Sequence, residues 1–167
     1  MKKMFGNLVC AAVVMAVSIF AAGACMAQNS MGGGRLAGVW DATVTLRNCE
    51  TGAPIRTFAS IANFDKDGTS LGSTSGVPQS LRTPEHGVWA HISGNTYRFK
   101  FKSFNFAPAD ITNPIGVAVS YGIVTHDIEL DESGDTYTSA GIARFYLMNG
   151  TQVGQGCSDS IGTRFTF

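Results

Sequence analysis

The side chains of this chain that could do chemistry are few, and their spacing keeps most of them apart. Its 167 residues include three histidines and four cysteines. His86 and His91 lie an odd number of positions apart, so on one extended strand they point to opposite faces and cannot form a simple two-histidine metal pair. His126 and Asp127 are adjacent and diverge for the same reason, which disfavours a histidine–carboxylate dyad within that strand. Asp65-Lys66-Asp67-Gly68 has the opening of a calcium loop without the later acidic ligand, and so reads as a hairpin turn. The run Asp131-Glu132-Ser133-Gly134-Asp135 reads the same way. No nucleophile elbow, phosphate-cradling glycine loop or dinucleotide fingerprint occurs. The pattern thus names no catalytic residue, no metal site and no cofactor, and the lone histidines read as structural or solvated.

The cysteines carry more information. Residues 1–27 have the order of a secretory signal peptide: Lys2 and Lys3, an apolar run from Leu8 to Ala24, then small residues before Ala27. At about 17 residues the run is short for a membrane span. Ala22-Gly23-Ala24-Cys25 also resembles the site at which bacterial lipoproteins are cut and lipidated, which leaves a lipid anchor on Cys25 as the minority alternative. Cys10 and Cys25 fall in this segment, so Cys49 and Cys157 remain for an exported, oxidising setting, periplasmic or secreted, and one disulfide is expected between them. Loss of Lys2 and Lys3 turns a neutral chain into one with a formal charge of −2. There is no basic patch to hold nucleic acid.

Residues 28–35 include Gly32-Gly33-Gly34 and read as a flexible lead-in, followed by a single domain over residues 36–167. From Leu36 onward, apolar and polar residues alternate in short runs separated by Gly, Asn, Asp and Pro, the signature of antiparallel strands. Eight runs are expected: Leu36–Cys49, Ile55–Phe64, Thr69–Ser75, Gly87–Ile92, Thr96–Phe106, Val117–Leu130, Asp135–Met148 and Thr151–Phe167. Most joins are tight, Asn149-Gly150 being the clearest two-residue turn, and tight joins imply an up-and-down order. Two longer connections, Gly76–Glu85 and Ala107–Gly116, hold four of the five prolines and are placed to rim an open mouth.

The two ends of the domain belong side by side. If the first and last strands pair antiparallel, opposed residues share a constant index sum; Cys49 with Cys157 gives 206, and Trp40 with Arg164 gives 204, diagonal neighbours in that register. Such a pairing closes the sheet into a barrel and removes its edges. Eight strands leave an interior just wide enough for packed side chains or one small ligand.

Within that barrel the fifth strand places Tyr97, Phe99 and Phe101 on one face and Arg98, Lys100 and Lys102 on the other, so the aromatic face points inward. Phe104 and Phe106 continue the pattern after a one-residue slip near Lys102-Ser103, where a bulge is expected. Trp89 on the fourth strand joins the same inward face, and Trp89, Tyr97, Phe99 and Phe101 are the candidate ligand-binding wall, with plain core packing as the competing reading. Arg144 has two placements. It is exposed if Phe145 and Leu147 face inward, the favoured case, and a buried cation if Ile142 and Tyr146 do.

Gly38-Val39-Trp40 at the first strand, Arg164 near the end of the last, and eight meandering strands together resemble the calycins, the group that includes lipocalins, avidins and fatty-acid-binding proteins. The resemblance implies a closed eight-stranded antiparallel all-β barrel in which Trp40 and Arg164 pack together at the closed end as structural residues. It implies an exported binding barrel for a small apolar or amphipathic molecule. Two other functions compete: an envelope interaction or inhibitor module whose barrel is solid and whose work is done by the Gly76–Glu85 or Ala107–Gly116 loop, and a barrel cyclase or isomerase. A filled interior would favour the former, and inward polar groups with perturbed pKa values the latter. The mature protein is expected to begin at Gln28. Intact-mass measurement of protein from the envelope or medium checks this, and a mass that keeps residues 1–27, or carries lipid on Cys25, refutes it.

Overall fold

A computed structural model describes residues 34–112 and 116–167; the expected signal peptide, Cys25 and the lead-in as far as residue 33 lie outside the described residues. Eight strands follow one another: β1 Gly38–Arg47, β2 Pro54–Phe64, β3 Thr69–Thr74, β4 Glu85–Ser93, β5 Thr96–Phe106, β6 Ala118–Leu130, β7 Thr136–Leu147 and β8 Gln152–Arg164. They form a closed antiparallel barrel in sequence order, with one short 3-10 turn, Gln79–Leu81, between β3 and β4. All eight expected runs are strands. The glycines of the tight joins, including Gly68, Gly94, Gly134 and Gly150, take the positive φ that those turns demand.

Closure differs from the expected register by one diagonal step. Along β1 and β8 the index sum is 204, so Trp40 lies directly opposite Arg164 and Cys157 opposite Arg47. Cys49 sits two residues beyond the end of β1, and the Cys49–Cys157 disulfide is the diagonal link, with its Cα atoms 5.1 Å apart. The ladder therefore follows the strand pairing, and the disulfide fastens the chain just past its end.

The sense of each strand sets two ends to the barrel. One is closed by a cluster of Leu36, Trp40, Phe64, Trp89, Tyr97, Ile128, Leu130 and Tyr137. Trp40 donates through Nε1 to the carbonyl of Leu36 at 2.9 Å, which draws the turn before β1 across this end. Arg35, expected in the flexible lead-in, is part of the same closure and donates to Asn95 Oδ1 and to the carbonyls of Asp131 and Glu132. The Arg164 guanidinium lies 4.3 Å over the Trp40 ring and donates to the carbonyls of Arg35, Ala37 and Gly134. Gly38 explains the first position of the Gly-x-Trp motif. It has φ +135°, and a side chain there would meet Arg164 Nη1 at 2.7 Å.

The outer face is polar in the expected alternation: Arg98, Lys100 and Lys102 are exposed, and Arg98 pairs with Asp127 at 2.6 Å. The bulge expected near Lys102-Ser103 is absent. Pairing of β5 with β6 runs unbroken to Asn105, with the irregularity between Asn105 and Phe106. Strict alternation then turns Ser103 and Asn105 inward and Phe104 outward, where Phe104 packs against Tyr121 and Lys102. Phe104 is thus no part of the interior; the Lys102 ammonium covers it, its Nζ lying 4.0 Å over the Tyr121 ring and 4.8 Å over that of Phe104. Arg144 is exposed while Phe145 faces the interior, which is the favoured placement.

Arg164→Gln removes the cation over Trp40 and most of the donors that tie three carbonyls together. Since charge-assisted hydrogen bonds each contribute about 1.5–3 kcal/mol, the variant is expected to lose at least about 3 kcal/mol of unfolding free energy in urea denaturation. A loss below about 1 kcal/mol would show that the closed end holds without it.

Candidate functional site

The other end of the barrel is hollow. Above the aromatic cluster lies a cavity of about 190 Å³ that reaches the surface beside Arg56 and Phe145. Sequence pattern makes the hollow: inward positions of β8 read Gly154, Gly156, Ser158, Ser160 and Gly162, and those of β7 include Ser139, Gly141 and Ala143. Small side chains on two adjacent strands leave space that the large ones opposite do not fill. Four of the inward rings are matched by glycine across the ladder. His126 is paired with Gly141, Tyr137 with Gly162, Phe101 with Gly87, and Phe145 with Gly122. A side chain at Gly141 would collide with the His126 ring, and one at Gly162 with Tyr137.

Phe99 and Phe101 line this cavity, stacked with centroids 5.8 Å apart. Trp89 and Tyr97 are not among its lining residues. They belong to the closed-end cluster, Trp89 tilted against Tyr97 at 5.9 Å and donating through Nε1 to the carbonyl of Asp65 at 2.9 Å. Strand direction accounts for Tyr97, since β5 ends at the mouth and its second residue lies deep; Trp89 is directly opposite the cavity-lining Phe99 but its ring is turned onto Tyr97 and held by the Asp65 carbonyl. Trp40 and Trp89 therefore share one end, and only half of the expected aromatic wall borders the cavity. Val44, Leu46, Phe58 and Val124 are among the other apolar residues of the lining.

Two polar groups of residues face the same space. Near the mouth Arg82, on the Gly76–Glu85 loop, donates through Nη2 to Glu85 Oε1 at 2.9 Å and through Nε to Ser103 Oγ at 2.9 Å, tying the loop to the barrel wall. Burial raises the Glu85 pKa, and the charge of Arg82 opposes that rise. Deeper, His126 is buried between two serines: Nδ1 is 2.8 Å from Ser139 Oγ and Nε2 is 2.9 Å from Ser158 Oγ. Ser139 Oγ is in turn 2.7 Å from Ser160 Oγ, and Tyr137 is hydrogen-bonded to Ser160. Burial lowers His126 to a pKa of about 4 and raises Tyr137 to about 12, so both are neutral at pH 7. Among the described residues no group of three or more potential metal ligands gathers, and no helix is long and apolar enough to cross a membrane.

The barrel geometry joins what sequence separation hid. His126, Ser139, Ser158 and Ser160 come from three strands, and the reading of His126 as structural did not foresee its serine partners. The period-two run of glycine and serine in β8 is the signal that could have located them. Neither a scan against models of known protein families nor a search of curated proteins found a match for this chain.

The depressed His126 pKa links stability to pH. The unfolded chain takes up this proton below about pH 6.5, whereas the folded protein resists it until about pH 4, so stability falls as pH drops through that window and levels off below it. The full effect is about 3 kcal/mol. Urea denaturation from pH 7 to pH 4 checks it, and a His126→Gln variant should show a flatter profile. A wild-type profile no steeper than the variant's refutes the assignment.

Proposed function

We propose that this chain is an exported, calycin-like barrel that binds a small molecule with a largely apolar body, held in the cavity between Phe99 and Phe101 on one side and the serine-lined wall of β7 and β8 on the other. The observation that carries this reading is the hollow itself: about 190 Å³ lined mainly by apolar side chains and open beside Arg56. An engineered apolar cavity of about 150 Å³ accommodates benzene, so the ligand is of the order of a single ring or a short chain, below the size of a retinoid or long-chain fatty acid. The disulfide suits an oxidising compartment. A solid-barrel interaction module would have its interior filled by its own side chains, which argues against the loop-mediated alternative.

The inward polar groups with shifted pKa values favour the cyclase or isomerase reading, but the direction of the shifts weighs against it. A histidine at about 4 is a weak base and a tyrosine at about 12 a weak acid, both far from the values that make proton transfer effective near neutral pH. Hydrogen bonding in the ground state suits these groups better.

Methyl-resolved NMR titration with toluene and hexan-1-ol tests the pocket. Saturable shifts are expected at Val44, Val124 and Ala143, and those of the two valines should vanish in Ala143→Leu, which fills space beside the cavity while remaining apolar. No shift at these methyls, or shifts indifferent to Ala143→Leu, would overturn the binding reading.

A further inference from the structure

We infer that the deep wall of the cavity recognises an uncharged hydroxyl group on the ligand, through the hydrogen-bonded chain Ser158–His126–Ser139–Ser160. The inference rests on the binding reading above and names the chemistry of that ligand. It follows from counting protons. Neutral histidine carries one N–H and each serine one O–H, so four groups hold four protons, while only three contacts link them. One proton is left over whichever way the chain is polarised. If Ser158 donates to His126 Nε2, then Nδ1–H donates to Ser139, and the spare proton is on Ser160 when Ser139 donates to it, or on Ser139 when Ser160 donates instead. If the chain runs the other way, Ser160 donates to Ser139, Ser139 to Nδ1, Nε2–H to Ser158, and the spare proton is on Ser158.

Both ends of the chain, Ser158 and Ser160, line the cavity, as does Tyr137. When the chain is polarised end to end, the cavity faces one spare donor at one end and acceptor oxygen at the other, with their positions exchangeable by reversing the chain, and when Ser139 accepts from both neighbours the cavity faces acceptor oxygens alone. A hydroxyl, which donates and accepts at once, complements either polarity. An ammonium brings only donors and would have to pass Arg56 and Arg82 to reach this wall. A carboxylate brings only acceptors; of the cations lining the cavity, Arg82 is already paired with Glu85 and Arg56 stands at the mouth, so at the deep wall its charge would be poorly compensated. Toluene-like ligands fit the volume but forgo the hydrogen bond.

Calorimetric titration at pH 7 with p-cresol, toluene and benzoate, three probes of similar size, tests the inference. Since a neutral hydrogen bond contributes a factor of about three to ten, p-cresol should bind about three- to tenfold more tightly than toluene, with benzoate weakest. The ring nitrogens of His126 should shift in ¹⁵N spectra on adding p-cresol and stay in place with toluene. In Ser158→Ala the advantage of p-cresol should shrink while toluene affinity stays within about twofold, since that variant keeps the cavity and its apolar lining. Equal affinity for p-cresol and toluene, or preference for benzoate, overturns the hydroxyl assignment and leaves the pocket standing. Failure of all three probes to bind overturns the pocket reading as well.

Discussion

Arg164 over Trp40 is the interaction on which the rest of this barrel depends. Closing an eight-stranded sheet requires the last strand to find the first in one register, and a one-residue slip would turn every inward side chain outward. Here the residues directly opposite each other in the closing ladder are a cation and an indole, and the cation also holds carbonyls of the N-terminal turn and of the β6–β7 turn. Sliding the strands separates all of these at once. Gly38 belongs to the same arrangement, because any side chain there would displace the guanidinium.

With that end fixed, the barrel has a filled half and an empty half. The filled half takes the large residues that cluster about Trp40, whereas toward the mouth β7 and β8 present glycine, alanine and serine. Ring-on-glycine pairing sets the depth of the boundary: Tyr137 leans over Gly162 and His126 over Gly141, so these two rings form the floor and one side of the hollow. The same pairing buries a histidine where water is excluded, and this is the origin of its low pKa.

Much of this was legible in the sequence, and what was not has a physical cause. Alternation and turn residues locate all eight strands, and Trp40, Arg164, Cys49 and Cys157 announce which strands close. Their register is harder, since a disulfide tolerates a diagonal offset and the two pairs are compatible with either 204 or 206. Aromatic residues on an inward face are evident in β5, but depth along the barrel axis depends on which strand end lies at the mouth, which leaves Tyr97 below the cavity that Phe99 and Phe101 border, and the turn of the Trp89 ring toward Asp65 is a tertiary contact that no local pattern announces. Phe104 misleads because it is apolar yet outward, where Lys102 and Tyr121 cover it. The serine–histidine chain joins positions up to 32 residues apart, and nothing short of the strand register brings them together.

The hollow half carries a cost that helps to explain where the covalent link lies. The cavity of about 190 Å³ is open to the surface, so the side chains around it forgo the packing contacts that the closed end makes. A disulfide closing a loop of 108 residues contributes up to about 4.7 kcal/mol by constraining the unfolded chain. The disulfide lies on the hollow half: Cys49 is beyond the last residue of β1 and joins Cys157, next to the cavity-lining Ser158 of β8 and away from the aromatic cluster. Packing stabilises the closed end, and the covalent constraint offsets what the open end lacks. A bound ligand would restore the missing contacts from within, so occupancy should matter most to the half of the barrel that its own side chains leave unfilled.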